Sequence, residues 1–230
     1  MLVWMHFERR FGAREIKFLV APGRAAEIRI WARERMNPDP HASRGGTYRV
    51  TSLYFDTDKF DVFHGRGSYG RAKYRVRRYD DAPNVFVERK MRTASLVSKR
   101  RASIVLDEMP GISAHGAGGW FQRRLEARQL RPVCSITYLR TALVGRRPDG
   151  PVIRLTLDEQ LFADRVDKFA LGDPARGIRI AGDREILELK YLGDMPALFK
   201  ELLTTFPLDR TAVSKYRTAA AELGLAERNG

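Results

Sequence analysis

A chain of 230 residues with 42 Lys and Arg against 28 Asp and Glu carries a net charge of +14, a balance that points to an anionic partner: nucleic acid, an anionic membrane surface or a phosphate-rich ligand. The length suits one large β-domain or two small ones, and no linker or composition break divides it, so one domain over residues 1–230, with a core of about 8–225, is expected. The single cysteine, Cys134, excludes an internal disulfide framework, and no apolar run approaches the ~20 residues of a membrane-crossing helix.

The chain opens on a short apolar stretch and then charges, without the apolar length or small-residue cleavage site of a signal peptide; a cytoplasmic protein is expected. Alternation and β-propensity then predict strands at Arg14 to Val20, Tyr48 to Phe55, Arg71 to Tyr79, Asn84 to Met91, Lys99 to Leu106, Val133 to Val144, Val152 to Glu159 and Glu185 to Tyr191. Asp80-Asp81-Ala82-Pro83 reads as one hairpin turn and Arg146 to Pro151 as another. Helices are predicted at Pro22 to Met36, Trp120 to Gln129, Met195 to Phe206 and Thr211 to Leu223, the first with proline in its first turn. His41 to Gly46 and Gly111 to Gly119 read as loops.

Side chains two apart on a strand share a face. Lys73, Arg75 and Arg77 therefore point one way, and Tyr74 and Val76 the other. The pattern recurs, with carboxylates interspersed, in Glu15-Ile16-Lys17, Glu88-Arg89-Lys90, Arg154-Leu155-Thr156-Leu157-Asp158 and Glu188-Leu189-Lys190, and Tyr138-Leu139-Arg140 adds another arginine. Arg89 breaks the apolar face of its strand. One such strand would be an ordinary solvated face. Five are better explained by apolar faces turned outward under helices and charged faces turned in. The expected fold is α+β: a closed antiparallel β-barrel of about eight strands, flanked by helices and forming a basic tunnel. Cations facing one another across a bore repel unless an anion fills it, and phosphate chains suit Arg and Lys well.

Other signals carry less. Gly65 to Gly70 matches Gly-x-Gly-x-x-Gly, but a strand and not a helix follows it, so no dinucleotide fold is expected. His6, His41, His64 and His115 are scattered without zinc-ligand spacing. Cys134 sits in an apolar stretch and reads as a buried small residue. Lys215 lies off the apolar stripe of its helix and, taken alone, reads as a solvated lysine.

Taken in order, several short segments resemble the VTC domain, the polyphosphate polymerase domain of the vacuolar transporter chaperone complex. That domain belongs to the triphosphate tunnel metalloenzymes, alongside the CYTH proteins. The segments are Arg14 to Phe18, Ser52 to Thr57, Lys73 to Tyr79, Phe86 to Lys90, Arg140, Arg154 to Asp158, Leu187 to Tyr191 and Ser214 to Tyr216. The resemblance implies phosphate ligands at Lys17, Arg75, Arg77, Lys90, Arg140, Arg154 and Lys215, with Lys99 a weaker match; Lys73 and Lys190 join them from the cationic faces. Arg75, Arg77, Lys90, Arg140, Arg154 and Glu188 form the implied catalytic set. Glu188 is the implied ligand for Mn2+ or Mg2+, with Glu15, Glu88 and Asp158 as further candidates. CYTH proteins begin with Glu-x-Glu-x-Lys; here the first position is Ala13, which favours the VTC branch.

The implied activity is a metal-dependent polyphosphate polymerase using ATP and inorganic polyphosphate. A triphosphatase using the same tunnel, with water as acceptor, is the alternative, and a non-catalytic binder of polyphosphate or RNA is a third reading. Nucleic acid is not the expected partner, because the aromatic residues do not interleave with the basic faces as stacking platforms require. The residues name no membrane partner.

Overall fold

The protein's structure, a computed structural model, describes residues 13–40, 42, 46–92, 97–113, 115–146, 152–172 and 176–227. His6, His41, the expected start of the core at residue 8 and the body of the Arg146 to Pro151 turn lie outside these residues.

Every predicted strand is present: β1 (Ala13–Val20), β3 (Thr47–Asp56), β4 (Ala72–Tyr79), β5 (Asn84–Arg92), β6 (Val97–Val105), β7 (Arg131–Arg146), β8 (Val152–Arg165) and β10 (Glu185–Leu192). Two-residue strands β2 (Asn37–Pro38) and β9 (Ile178–Arg179) add to them. β8 runs six residues beyond its predicted end at Glu159. Gln160 takes a positive φ of 51° there, and the β7–β8 register shifts between Thr137 and Leu139, so a bulge lets the strand continue past the break in alternation. The helices are α1 (Pro22–Arg35), a single turn α2 (Asp61–His64), α3 (Gly119–Ala127), α4 (Ala197–Thr205) and α5 (Lys215–Glu222). α5 starts four residues later than predicted because Ser214 caps it, its hydroxyl accepting from the Arg217 N–H.

All pairings are antiparallel, in the order β1-β10-β8-β7-β3-β4-β5-β6, with β2 beside β7 and β9 beside β8. The expected closed barrel is not formed: among the described residues the sheet has ten strands and ends at β1 and β6, which do not pair with each other, and the outer side of β1 is met only by a bridge from Phe18 to Arg210. The sheet curls instead. In a flat sheet β1 and β5 would stand about 29 Å apart, six strand spacings. Yet Lys90 Nζ on β5 lies 3.2 Å from Glu15 Oε2 on β1. Side-chain alternation reports which way each face points, but not whether the first and last strands align their backbone N–H and C=O groups.

The apolar faces point outward and lie under helices, as the alternation requires. On one side Ile16, Phe18, Leu155, Leu157, Leu187 and Leu189 pack against Ile28 and Trp31 of α1 and Phe199 and Leu202 of α4. On the other, Leu53, Phe55, Tyr74, Val76 and Val87 pack against Trp120, Phe121 and Leu125 of α3. Burial of these side chains is the main stabilising term, roughly 1.5–3 kcal/mol for each large one. The Gly65 to Gly70 segment is not a nucleotide loop. It ends in a 3₁₀ turn, and a Cβ on Gly70 would lie 2.5 Å from the Gly65 carbonyl oxygen, so the turn requires glycine.

Candidate functional site

The register lines up one cationic row after another on the concave face. Lys73 opposes Lys90, which opposes Lys99; Tyr54 opposes Arg75, which opposes Glu88, which opposes Arg101; Ser52 opposes Arg77. Across the other half, Arg140 opposes Asp158, Thr156 opposes Glu188, Glu188 opposes Lys17, and Arg154 opposes Lys190, which opposes Glu15. The structure therefore brings together every residue singled out for phosphate or metal. Lys215 joins them from the first turn of α5, where its Nζ is 2.5 Å from Asp158 Oδ2; it is a buried partner of the face, not a solvated lysine.

Each carboxylate is shared among cations. Glu88 binds Arg75 (2.6 Å), Lys99 (3.1 Å) and Arg101 (3.4 Å). Asp158, fully buried, accepts from Arg140 Nε (2.6 Å) and Nη2 (2.7 Å). Glu15 pairs with Lys17 (3.0 Å), Lys90 (3.2 Å) and Lys190 (3.7 Å), and Glu188 pairs with Lys17 (3.5 Å) and closely with Lys190. Burial and the neighbouring Glu188 push the Glu15 carboxyl up, but Lys190, Lys17 and Lys90 outweigh them and hold it at about 2. Burial likewise raises Glu188, and Lys190 and Lys17 overcome it, so the group sits well below the usual carboxylate range.

Lys73 stands apart. Its Nζ donates to Ser214 Oγ at 2.8 Å, and among the described residues no carboxylate forms an ion pair with it. Burial, then Arg217, Lys17, Lys90 and Arg75, push its pKa down to about 7. The depressed value means that charging Lys73 opposes folding below about pH 7, and that this cost fades as pH rises toward the unfolded value near 10.4. A bound anion reverses the shift. Tripolyphosphate binding is therefore expected to take up a proton at pH 8 and to weaken as pH rises from 7 to 10. Calorimetry at pH 8 in buffers of different ionisation enthalpy checks it. The Lys73→Met protein should lose the uptake, and equal uptake in both proteins would assign the proton to another group.

Arg77 and Arg78 test the two faces directly. Arg77 is buried on the concave side, with Nε donating to Ser52 Oγ (3.1 Å) and Nη2 to Tyr138 OH (3.2 Å). Arg78 points outward and donates to the carbonyls of Ala82 (2.9 Å) and Asp81 (3.0 Å) in the hairpin turn. Losing a charge-assisted phosphate contact costs roughly 1.5–3 kcal/mol, or about one to two decades of affinity. Arg77→Ala and Arg75→Ala are each expected to weaken tripolyphosphate by that much, and Arg78→Ala by far less. Equal losses at 77 and 78 in a calorimetric titration would contradict the two-faced reading.

Several residues of the face escaped the sequence reading. Tyr48 OH accepts from Arg154 Nη2 (2.9 Å), and Asp39 lies 2.6 Å from the same atom. Arg101, Ser52 and Tyr54 share their strands' inward parity with Lys99 and Tyr48, so alternation could have found them. Asp39 follows the two-residue strand β2 and carries no signal in the sequence.

Among the described residues no three His, Cys, Asp or Glu side chains gather as a metal-binding group. Glu15 and Glu188 do share Lys17 and Lys190, while Glu88 and Asp158 are held by cations of their own. Beside Glu188 the buried Thr156 Oγ1 has no hydrogen-bond partner. Two carboxylates and a hydroxyl are hard oxygen donors, and Mg2+ commonly binds through one or two carboxylates and substrate phosphates. The residues present fit such an ion.

Several solved structures match this chain. The Hippeastrum protein HpAC1, described as having a dominant triphosphatase activity, is 16% identical over 93% of this chain and 96% of its own, with a TM-score of 0.55. The Pyrococcus horikoshii protein PH1819 (12% identity, 94% of this chain and 100% of its own, TM-score 0.48) and a Vibrio parahaemolyticus protein named as a candidate adenylate cyclase (14%, 93% and 100%, 0.48) also match. The likeness to HpAC1, at this identity, is one of fold alone. No curated protein matches the sequence. The VTC domain model matches residues 12–223, a span that runs from the first strand of the cationic face to the end of the helix that carries Lys215. The chain belongs to the VTC domain family.

Proposed function

We propose that the protein is a divalent-metal-dependent polyphosphate polymerase that transfers the γ-phosphate of ATP to the end of a polyphosphate chain lying along the concave face. The observation that carries this reading is the surplus of cations on that face. Among the described residues Lys73 pairs with no carboxylate, and Lys17, Lys190, Arg75 and Arg101 share Glu15, Glu188 and Glu88. Two highly charged anions have to meet in line during chain extension, and their repulsion requires such a surplus; water as acceptor does not. Ala13, at the start of β1, adds no carboxylate to this end of the face.

Arg75, Arg77 and Lys90 hold phosphates from one wall, and Arg140, Arg154, Lys17 and Lys215 from the other. A terminal phosphate oxygen of the acceptor forms a bond to the γ-phosphorus, the bond to the β,γ-bridging oxygen breaks, and ADP leaves with that electron pair. Guanidinium and ammonium groups fixed by Glu88, Asp158 and Glu188 stabilise the charge on the transferring group without having to reorganise. Mn2+ or Mg2+ bound by Glu188 and Glu15 would supply charge neutralisation between phosphate oxygens. Among the described residues no helix is long and apolar enough to cross a membrane, and the cytoplasmic setting expected from the sequence is part of this proposal.

Incubation with ATP and Mn2+, with and without a short polyphosphate primer, decides the matter. Primer should accelerate ADP release, chains should lengthen with time on a gel, and Ala13→Glu should slow extension more than hydrolysis. Release of free phosphate at the same rate with or without primer, with no chain longer than the primer, would make the protein a triphosphatase instead. No turnover at all would leave a binding protein.

A further inference from the structure

Arg89 and Arg100 interrupt the apolar side of the sheet. They lie directly opposite each other on β5 and β6, on the outer face, beside the Lys90 and Lys99 pair that faces inward. Like charges placed opposite on neighbouring strands repel. No ion pair relieves either arginine among the described residues, and the buried Nε of Arg89 has no hydrogen-bond partner. The Arg100 guanidinium is held over the Trp120 ring at 4.5 Å from its centroid, while the residue stays exposed. Arg123 and Arg124, both exposed, follow Trp120 by three and four residues and so lie on its side of α3. The neighbouring carboxylate on that helix, Glu126, is taken by Gln122 at 2.9 Å.

Among the described residues β6 is an end strand of the sheet with no partner on its outer side. Lys99 and Arg100 are consecutive on it and face opposite sides, so a flexible polyanion leaving the concave face past this edge passes from one cation to the next without a gap. We propose that Arg89 and Arg100, with Arg124 beyond them, form an outer track that holds the emerging part of a long polyphosphate chain. This rests on the polyphosphate reading of the concave face. Continuity with the inner row favours a phosphate chain over an acidic protein, which would have no reason to meet the patch at the strand that bears Lys99.

The test compares tripolyphosphate with a long polyphosphate chain by calorimetry, for the unaltered protein, Arg100→Gln, and Arg89→Gln with Arg100→Gln. Tripolyphosphate is short enough to stay on the concave face, and its affinity should be unchanged throughout. The long chain should bind the double variant about tenfold more weakly. The slope of its log affinity against log salt should fall by about one for each arginine removed. Arg100→Gln alone, at an exposed site, should show part of both effects should the double variant melt early. Equal long-chain affinity in all three proteins overturns the track. So does an equal loss for tripolyphosphate, which would mean that the substitutions disturb the concave face. Loss of binding to an acidic peptide, with long-chain binding intact, would assign the patch to a protein partner. Failure of tripolyphosphate to bind even the unaltered protein would instead overturn the reading of the concave face itself.

Discussion

Replacing Asp158 with asparagine is expected to destabilise the protein by about 3–5 kcal/mol, the cost of leaving buried charge without its partner. Asp158 is fully buried and holds two cations at once, Arg140 from β7 and Lys215 from α5. Asparagine keeps the size and removes the charge, so both cations lose their counterion within a buried site. Burial pushes the Asp158 carboxyl up, but Arg140 and Lys215 outweigh it and hold the group far below the usual range. A depressed folded value contributes stability above the unfolded carboxylate value near 3.9, and that contribution is lost as pH falls through the folded value. The urea midpoint of the unaltered protein should therefore fall in acid below about pH 4, and Asp158→Asn should lack that part of the fall. Added tripolyphosphate should restore more stability to the variant than to its parent, because a bound anion supplies the missing charge. Equal urea midpoints at pH 7 for both proteins would show that the carboxylate contributes nothing to the fold.

Glu188→Gln is expected to lower turnover by about two decades or more while leaving metal-free polyphosphate binding intact or tighter. The reaction loses charge stabilisation of several kcal/mol if the hard ion loses its carboxylate, at 1.36 kcal/mol per decade. Binding does not suffer, because Lys17 and Lys190 lose an internal competitor and become free to hold phosphate. The fold should tolerate the change better than it tolerates Asp158→Asn. The Lys17 and Lys190 side chains are 25% and 26% exposed, against 7% and 10% for Arg140 and Lys215, so water can screen the stranded charge. Steady-state ADP release with Mn2+, together with calorimetry in chelator, separates the two effects. Normal turnover would reduce Glu188 to a structural partner of the two lysines.

Much of the concave face was legible because strand side chains alternate strictly. Lys73, Arg75 and Arg77 had to share a side once the strand was recognised, and Leu155 with Leu157 had to share the other. Alternation failed where the backbone departs from it. At Gln160 a positive φ restores the strand after a bulge, and a reading by parity stops one residue earlier. Arg89 was visible as an exception on the apolar side, but its opposition to Arg100 depends on a pairing register that no single strand records.

The order of residues by itself determined which segments are strands, which face of each is cationic, and that helices cover the opposite face, since these follow from periodicity and the burial of apolar side chains. Only the tertiary structure decided the rest. The sheet curls without closing: Lys90 on β5 meets Glu15 on β1 through side chains, while the end strands β1 and β6 do not pair with each other. Asp39 reaches Arg154 from just after a two-residue strand, and Lys215 turns from an apparently solvated helix position into the counterion of Asp158. Such contacts join residues far apart in the chain, and their geometry is set by sheet curvature and helix placement, which no local pattern encodes.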